Sequence, residues 1–268
     1  MADKNQGQAR GVMKLRPRYV EKPWGRTQLP PMFDTASAER IGEVWFVGAA
    51  EQPLLVKYLF TSERLSIQVH PGDAQARARG LSSGKSECWL IVDAEPNATL
   101  GLGLKQEVPK DELRAAALDG SIEQLIDWRP VRRGDFFMVP PGTIHAIGGG
   151  ISLIEFQQNA DVTYRLYDYG RPRELHLDDA IAVAATQPYS DSLAQHLSGN
   201  ETRTLADGPH FTLIHSDRDV LEDRRRWVIP LEGEARADGE IAAAGDCLLV
   251  DAGIVVQVNG RTLIGATP

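Results

Sequence analysis

The sequence predicts an all-β protein of sandwich or barrel architecture with small helical insertions. Short apolar segments of four to eight residues recur along the chain, several alternating polar and apolar positions, as strands with one buried face do. Between them the 25 glycines and 16 prolines cluster at junctions that read as turns. Helical composition is confined to brief stretches, which fits helices inserted between strands rather than a helical core.

In chain order, residues 1–18 are polar with scattered basic positions and predict a flexible terminus. Ile41 to Gly48 (IGEVWFVG) and Leu54 to Phe60 (LLVKYLF) predict two strands joined by a short turn, and Leu65 to His70 (LSIQVH) a half-buried strand ended by Pro71-Gly72. Cys88 to Val92 (CWLIV) predicts the next. Lys110 to Leu118 and Ser121 to Trp128 then carry helical composition, with Ser121 and Gln124 spaced as a capping box, so residues 105–130 are expected to be a helical insertion. Strands resume at Asp135 to Val139, Ser152 to Gln157 and Thr163 to Tyr169, followed by a helix over Leu177 to Ala185. From Phe211 onward the chain is again strand-rich. Gly134-Asp135 before FFMVPPG is echoed by Gly245-Asp246 before CLLVDAG, a weak sign of one fold used twice.

Composition excludes several classes of function. Hydrophobic residues make up 42% and charged residues 25%, as in an ordinary globular protein. The formal net charge of −8 argues against nucleic acid as a partner. Cys88 and Cys247 lack CxxC spacing, which predicts a reducing compartment, and without a signal-like or membrane-spanning segment the expected location is the cytoplasm. A monomer or homodimer is expected, away from membranes.

The residues that carry chemistry fall in three phrases. Gly134 to His145 (GDFFMVPPGTIH) reads as a strand entered by a Gly-Asp turn and left by a Pro-Gly turn that re-aims His145 inward. In Gln68-Val69-His70, residues two apart share a strand face, so Gln68 and His70 point together. Seventeen residues later Glu87 begins a face shared with Trp89 and Ile91. Two imidazoles, one carboxylate and one amide oxygen form an N/O donor set that suits zinc, and also manganese, iron or cobalt.

The Gly134 to His145 phrase matches the second cupin motif, with Gly149 where its closing asparagine usually stands, and Gln68 stands where many cupins carry a histidine. SIQVHP, GKSE, VPPGTIHAIGGG and EFQQNADVTYRLYD together closely resemble type I phosphomannose isomerases, and Trp24-Gly25 and IGEVW fit the same family's opening strands. The resemblance covers about Tyr19 to Asp168 well and the rest loosely. It implies a double cupin of two jelly-roll barrels: a catalytic metal-binding domain over 19–195 and a metal-free cupin-like domain over 196–268.

The resemblance further implies that Gln68, His70, Glu87 and His145 hold one Zn2+, that Arg165, Glu155 and Asp161 are catalytic, and that Lys57, Ser66 and Lys85 line the substrate and phosphate region. The expected substrate is a sugar phosphate, with mannose 6-phosphate and fructose 6-phosphate interconverted through a cis-enediol. Arg165 is a poor base because guanidinium stays protonated, which suits it to stabilising an enediolate or a phosphate. The base remains open among Glu155, Asp161, Lys57 and a metal-bound water. A cupin of another reaction, such as a dioxygenase or other sugar isomerase, and a non-catalytic sugar-phosphate-binding cupin are the alternative readings. His176, His196, His210 and His215 have no partners at ligand spacing and are expected to have no role.

Overall fold

The computed structural model describes residues 11–33 and 39–268. In chain order the strands are β1 (Val12–Lys14), β2 (Arg16–Arg26), β3 (Ile41–Val47), β4 (Leu54–Phe60), β5 (Ile67–Val69), β6 (Glu87–Ala94), β7 (Thr99–Leu104), β8 (Ile126–Pro130), β9 (Asp135–Val139), β10 (His145–Ile147), β11 (Ile151–Gln158), β12 (Tyr164–Tyr167) and β13 (Ala194–His196). They continue as β14 (Arg203–Asp207), β15 (Thr212–Ser216), β16 (Arg226–Pro230), β17 (Glu234–Ala237), β18 (Glu240–Ala243), β19 (Leu248–Val250), β20 (Gln257–Asn259) and β21 (Thr262–Ala266). The helices are α1 (Asp73–Ala78), α2 (Lys110–Asp119), α3 (Ile122–Leu125) and α4 (Leu177–Val183). None of the described helices is long and apolar enough to cross a membrane.

Two compact units emerge, one over Pro17–Ser198 and one made of the residues before Pro17 with Gly199–Pro268. In the larger, a seven-stranded antiparallel sheet (β13-β9-β6-β11-β4-β3-β2) and a five-stranded sheet (β12-β5-β10-β7-β8) enclose a shared core. Trp24, Leu59, Trp89, Ile91, Phe137 and Leu153 from the first sheet meet Leu100, Leu102 and Ile147 from the second. The other face of the five-stranded sheet, through Ile67, Val69, Ala146 and Leu166, is covered by Leu113, Ala116 and Ala117 of α2, Ile122 of α3, and Ala180 and Ile181 of α4. Helices therefore seal one side, and alternation leaves the opposite face of the same strands free to line an interior. This is the all-β barrel architecture that the strand pattern predicts, and it agrees with the cupin fold that the resemblance implies.

The smaller unit holds a six-stranded sheet (β1-β19-β16-β21-β15-β14) and a three-stranded sheet (β18-β17-β20). Its core includes Val228, Ala235, Ala242, Leu248 and Ile264. Arg226, fully buried, is held by both oxygens of Asp219 at 3.0 and 2.7 Å and by the Ile254 carbonyl.

Some local expectations fail for physical reasons. Residues 11–18 are not a flexible end: β1 pairs with β19, Val12 opposite Val250, and Gly11 N–H donates to Asp251. The first ten residues lie outside the described ones. The Ser121 capping box does not form, since that residue makes no side-chain cap. The expected helix over 121–128 ends at Leu125, because Ile126 to Trp128 are drawn into β8, where Leu104 pairs with Ile126 and Gly101 with Trp128.

Candidate metal centre and substrate cavity

Strand register brings the three sequence phrases together. His145 on β10 lies opposite Gln68 on β5, and Gln68 lies opposite Arg165 on β12, so the three share a row across the five-stranded sheet. On the seven-stranded sheet Glu87 faces Gln157, Glu155 faces both Trp89 and Lys57, and Lys57 faces Trp45. These residues occupy the interior face by the same two-residue alternation that buries Leu153 and Leu59.

The turns aim the histidines. Thr143 N–H donates to the Pro140 carbonyl, and Gly142 between them has φ +87°, a backbone conformation that glycine tolerates best. Gly142 N–H donates to the His70 carbonyl at 2.9 Å, which ties this turn to the end of β5. On the facing loop, Lys85 N–H donates to the Pro71 carbonyl at 3.0 Å and Gly84 N–H to Asp73 Oδ1 at 2.8 Å. Gln158 accepts the Ser86 N–H and donates to the same Asp73 oxygen. That frame delivers Lys85 and Glu87 beside the two imidazoles.

The donor geometry suits a metal. His70, Glu87 and His145 offer ligand atoms that all lie within 4.8 Å of one another. Nε2 of each histidine is 3.5 Å from Glu87 Oε1. Ligands about 2.1 Å from a tetrahedral zinc stand ~3.4 Å apart, so this spacing needs little adjustment. His145 Nδ1–H donates to the Thr143 carbonyl at 2.9 Å, which leaves the Nε2 lone pair toward the centre. Both Glu87 oxygens are buried; Oε2 faces the Lys85 ammonium at 2.6 Å, and Oε1, which stands toward the two imidazoles, has acceptor capacity to spare.

Gln68 Nε2 donates to His145 Nε2 at 3.1 Å, while Ser66 Oγ donates to Gln68 Oε1 at 3.0 Å. Rotating the amide by half a turn brings the oxygen to the centre and the NH2 to the Ser66 hydroxyl, which can accept as well as donate. His70, Glu87 and His145 thus fit a zinc-type site, and the Gln68 amide stands within reach of it. Together, fold and donor set define a cupin-type metal centre.

Charge balances around this centre. Lys85 Nζ is 2.6 Å from Glu87 Oε2, 3.2 Å from His70 Nε2 and 3.6 Å from Glu155 Oε1. Lys57 Nζ is 3.2 Å from the same Glu155 oxygen and 4.5 Å over the Trp45 ring. Burial works against the Glu87 carboxylate, but Lys85 and the two imidazoles hold its carboxyl well below the usual range. Burial likewise opposes the Lys85 ammonium, and Glu155 and Glu87 outweigh it and push its pKa up. Burial, reinforced by His70, depresses His145 to about 3, and burial with the Lys85 charge lowers His70, so both imidazoles are neutral and ready to ligate.

Beside the centre lies a cavity of about 420 Å³. Gln68, Lys85, Glu155, Lys57, Ser66, Asp161 and Arg165 all line it. Asp161 sits exposed, whereas Glu155 is buried. The cavity also takes in residues that motif reading missed: Lys22, Glu43, Thr163, Arg173 and His176. His176, expected to have no role, accepts the Arg165 backbone N–H on Nδ1 at 3.3 Å and stands at the cavity wall. Glu43 could have been found from its period-two spacing with Trp45, whose Nε1–H donates to Glu43 Oε2 at 2.5 Å.

A scan against protein-family models finds no match. Among curated proteins, the chain is 40% identical over 169 residues to a mannose-6-phosphate isomerase of Streptococcus mutans, an alignment spanning 60% of this chain and 53% of that protein. It is 33% identical over 243 residues to mannose-6-phosphate isomerase ManA of Bacillus subtilis, covering 74% of this chain and 77% of the relative. Among solved structures, a Bacillus subtilis mannose 6-phosphate isomerase superposes with a TM-score of 0.81 at 28% identity, over 96% of this chain and 99% of that one. A zinc-bound mannose 6-phosphate isomerase shares the fold at 14% identity with a TM-score of 0.71, over 96% of this chain and 99% of its own. The chain belongs to the mannose-6-phosphate isomerase family.

Proposed function

We propose that the chain interconverts mannose 6-phosphate and fructose 6-phosphate, with one zinc ion held by Gln68, His70, Glu87 and His145. The observation that carries this reading is the convergence of His70, Glu87 and His145 within 4.8 Å beside a polar cavity of about 420 Å³. Aldose–ketose exchange moves a proton between C1 and C2 and places negative charge on oxygen in the transition state. Held by these residues, the ion would supply electrostatic stabilisation of that oxygen without proton transfer.

The remaining work falls to side chains. Glu155 is the proton carrier in this reading: it is buried on the interior face, and its Oε1 is fixed by Lys57 at 3.2 Å. Asp161 is exposed at the rim, which suits a contact with a substrate hydroxyl rather than removal of a carbon-bound proton. Lys57 positions Glu155, Lys85 balances the charge of Glu87, and Ser66 orients Gln68. Arg165 stays protonated and serves to stabilise negative charge. The unit containing Gly199–Pro268 is assigned as metal-free. The unpaired, buried Cys88 and Cys247 fit a reducing, cytoplasmic setting, and the chain is assigned as a monomer or homodimer, to be settled by light scattering.

Purified protein with one zinc per chain should convert mannose 6-phosphate to fructose 6-phosphate, and a chelator should abolish the activity until zinc is restored. Zinc-loaded, folded protein that leaves mannose 6-phosphate unchanged overturns the assignment. His145→Ala with undiminished zinc content overturns the ligand set.

A further inference from the structure

Every cation lining the cavity except one is paired with a carboxylate. Lys22 Nζ lies 3.2 Å from Glu43, Lys57 3.2 Å from Glu155 and Lys85 2.6 Å from Glu87. Arg173 donates to both oxygens of Asp168 at 2.6 and 2.7 Å. Arg165 has no carboxylate partner among the described residues: its Nε–H donates to the Glu174 carbonyl at 2.8 Å, and both Nη groups are left over.

His176 is locked onto this arginine. Its backbone N–H donates to the Arg165 carbonyl at 2.8 Å, and its Nδ1 accepts the Arg165 backbone N–H. An imidazole that accepts on Nδ1 carries its proton on Nε2, so His176, which lines the cavity, has an N–H donor to offer. Burial and the Arg165 charge lower its pKa, which keeps that tautomer neutral. A guanidinium without a carboxylate partner and a neighbouring imidazole N–H, both in the lining of one cavity, are the elements that bind a phosphate monoester dianion.

We infer that Arg165 and His176 form the subsite for the phosphate group of the substrate, with His176 as a binding residue. The identity of the sugar rests on the isomerase reading; the subsite itself does not. The probe is therefore inorganic phosphate, titrated into the zinc-loaded full chain by calorimetry, with the 15N signals of the histidines followed in parallel. In the wild type, phosphate should shift the His176 Nε2–H resonance. His176→Ala should weaken phosphate binding about tenfold to a hundredfold, the range for losing a hydrogen bond to a charged group. His176→Asn, which keeps an N–H donor, should recover part of that loss.

In turnover assays the KM for mannose 6-phosphate should rise in His176→Ala while kcat and zinc content hold. Unchanged phosphate affinity in both variants, or a wild-type His176 signal that ignores phosphate, overturns the subsite. Wild-type protein that binds phosphate in this way without converting mannose 6-phosphate overturns the isomerase reading and leaves the subsite standing. Conversion with unaltered phosphate affinity in the variants does the reverse.

Discussion

Replacing Lys85 with methionine separates the roles of the ammonium and the metal. Lys85 and Glu87 are almost wholly buried, with 7% and 1% of their side chains exposed, and Nζ stands 2.6 Å from Oε2. Without metal, Lys85→Met keeps the length of the side chain and leaves the Glu87 carboxylate facing two neutral imidazoles. Removing one partner of a buried ion pair costs about 3–5 kcal/mol, because the other charge is left uncompensated. For a protein of this size that corresponds to a fall of roughly 6–20 °C in Tm. With zinc bound, Glu87 regains a cation, so the variant should lose far less, on the order of 1 kcal/mol for the weaker contact of Lys85 with Glu155. Thermal or urea unfolding of both proteins, with chelator and with saturating zinc, measures the difference. Zinc should stabilise the variant by about 2–4 kcal/mol more than it stabilises the wild type. Equal losses in the two conditions would refute the idea that ammonium and metal answer the same carboxylate.

Acid should destabilise the metal-free protein early. His145 is depressed from 6.5 to about 3, so its contribution to stability is complete above 6.5 and drains away as pH falls toward 3. His70, also lowered, acts in the same direction, and Glu87, held below its ordinary 4.5, adds its own loss beneath that value. From pH 7.5 to 5, His145 alone should cost about 2 kcal/mol, and a urea midpoint in chelator that does not move over this range contradicts the assignment. Glu155→Gln should lower turnover by about two to four orders of magnitude with one zinc still bound, as measured by a coupled assay and metal analysis. Ser66→Ala should weaken zinc binding about tenfold to a hundredfold in chelator competition, since it frees the Gln68 amide. Gly84→Ala would place a methyl 2.5 Å from the Gly72 carbonyl carbon and the Pro71 oxygen; it should cost about 1–3 kcal/mol in thermal unfolding and lower activity by displacing Lys85.

The centre was legible in the sequence to the extent that its residues lie on strands whose alternation is clear. Gln68 and His70 share a face by spacing alone, and the Pro-Pro-Gly turn announces that His145 starts a new strand. What spacing does not contain is register. That His145 stands opposite Gln68, and Gln68 opposite Arg165, depends on pairings between segments tens of residues apart. His176 was missed for this reason, since its meaning comes only from the turn that folds it back on Arg165. β2 was signalled only by Trp24-Gly25, because the rest of RPRYVEKPWGR is largely polar and exposed, and β7 escaped notice because TLGLGL has two glycines where strands prefer bulk. Gly101 explains its own presence: a methyl there would sit 2.7 Å from Ile126 Cγ2, so the strand needs glycine to let β8 approach. The same approach pulls Ile126 to Trp128 out of the helix that their composition suggests.

The proposed donor set gives a reason for an unpaired cation elsewhere on the cavity wall. Two neutral imidazoles, a neutral amide and one carboxylate, as proposed, would leave a divalent ion with a net positive charge, and Lys85 adds a further charge against Glu87. An amide is also a weaker donor than the imidazole it replaces, which leaves the centre more electrophilic toward a substrate oxygen. Such a centre would attract any anion, and in the proposed reaction a phosphate that settled there would keep the sugar carbon from Glu155. Pairing Lys22, Lys57 and Arg173 with carboxylates removes most competing attractions along the cavity wall. In the subsite inferred above, Arg165 and His176 would offer the dianion guanidinium and imidazole N–H donors. Orientation of the sugar between these poles follows from which cations the structure has neutralised. The KM effect expected for His176→Ala, with kcat held, tests that separation directly.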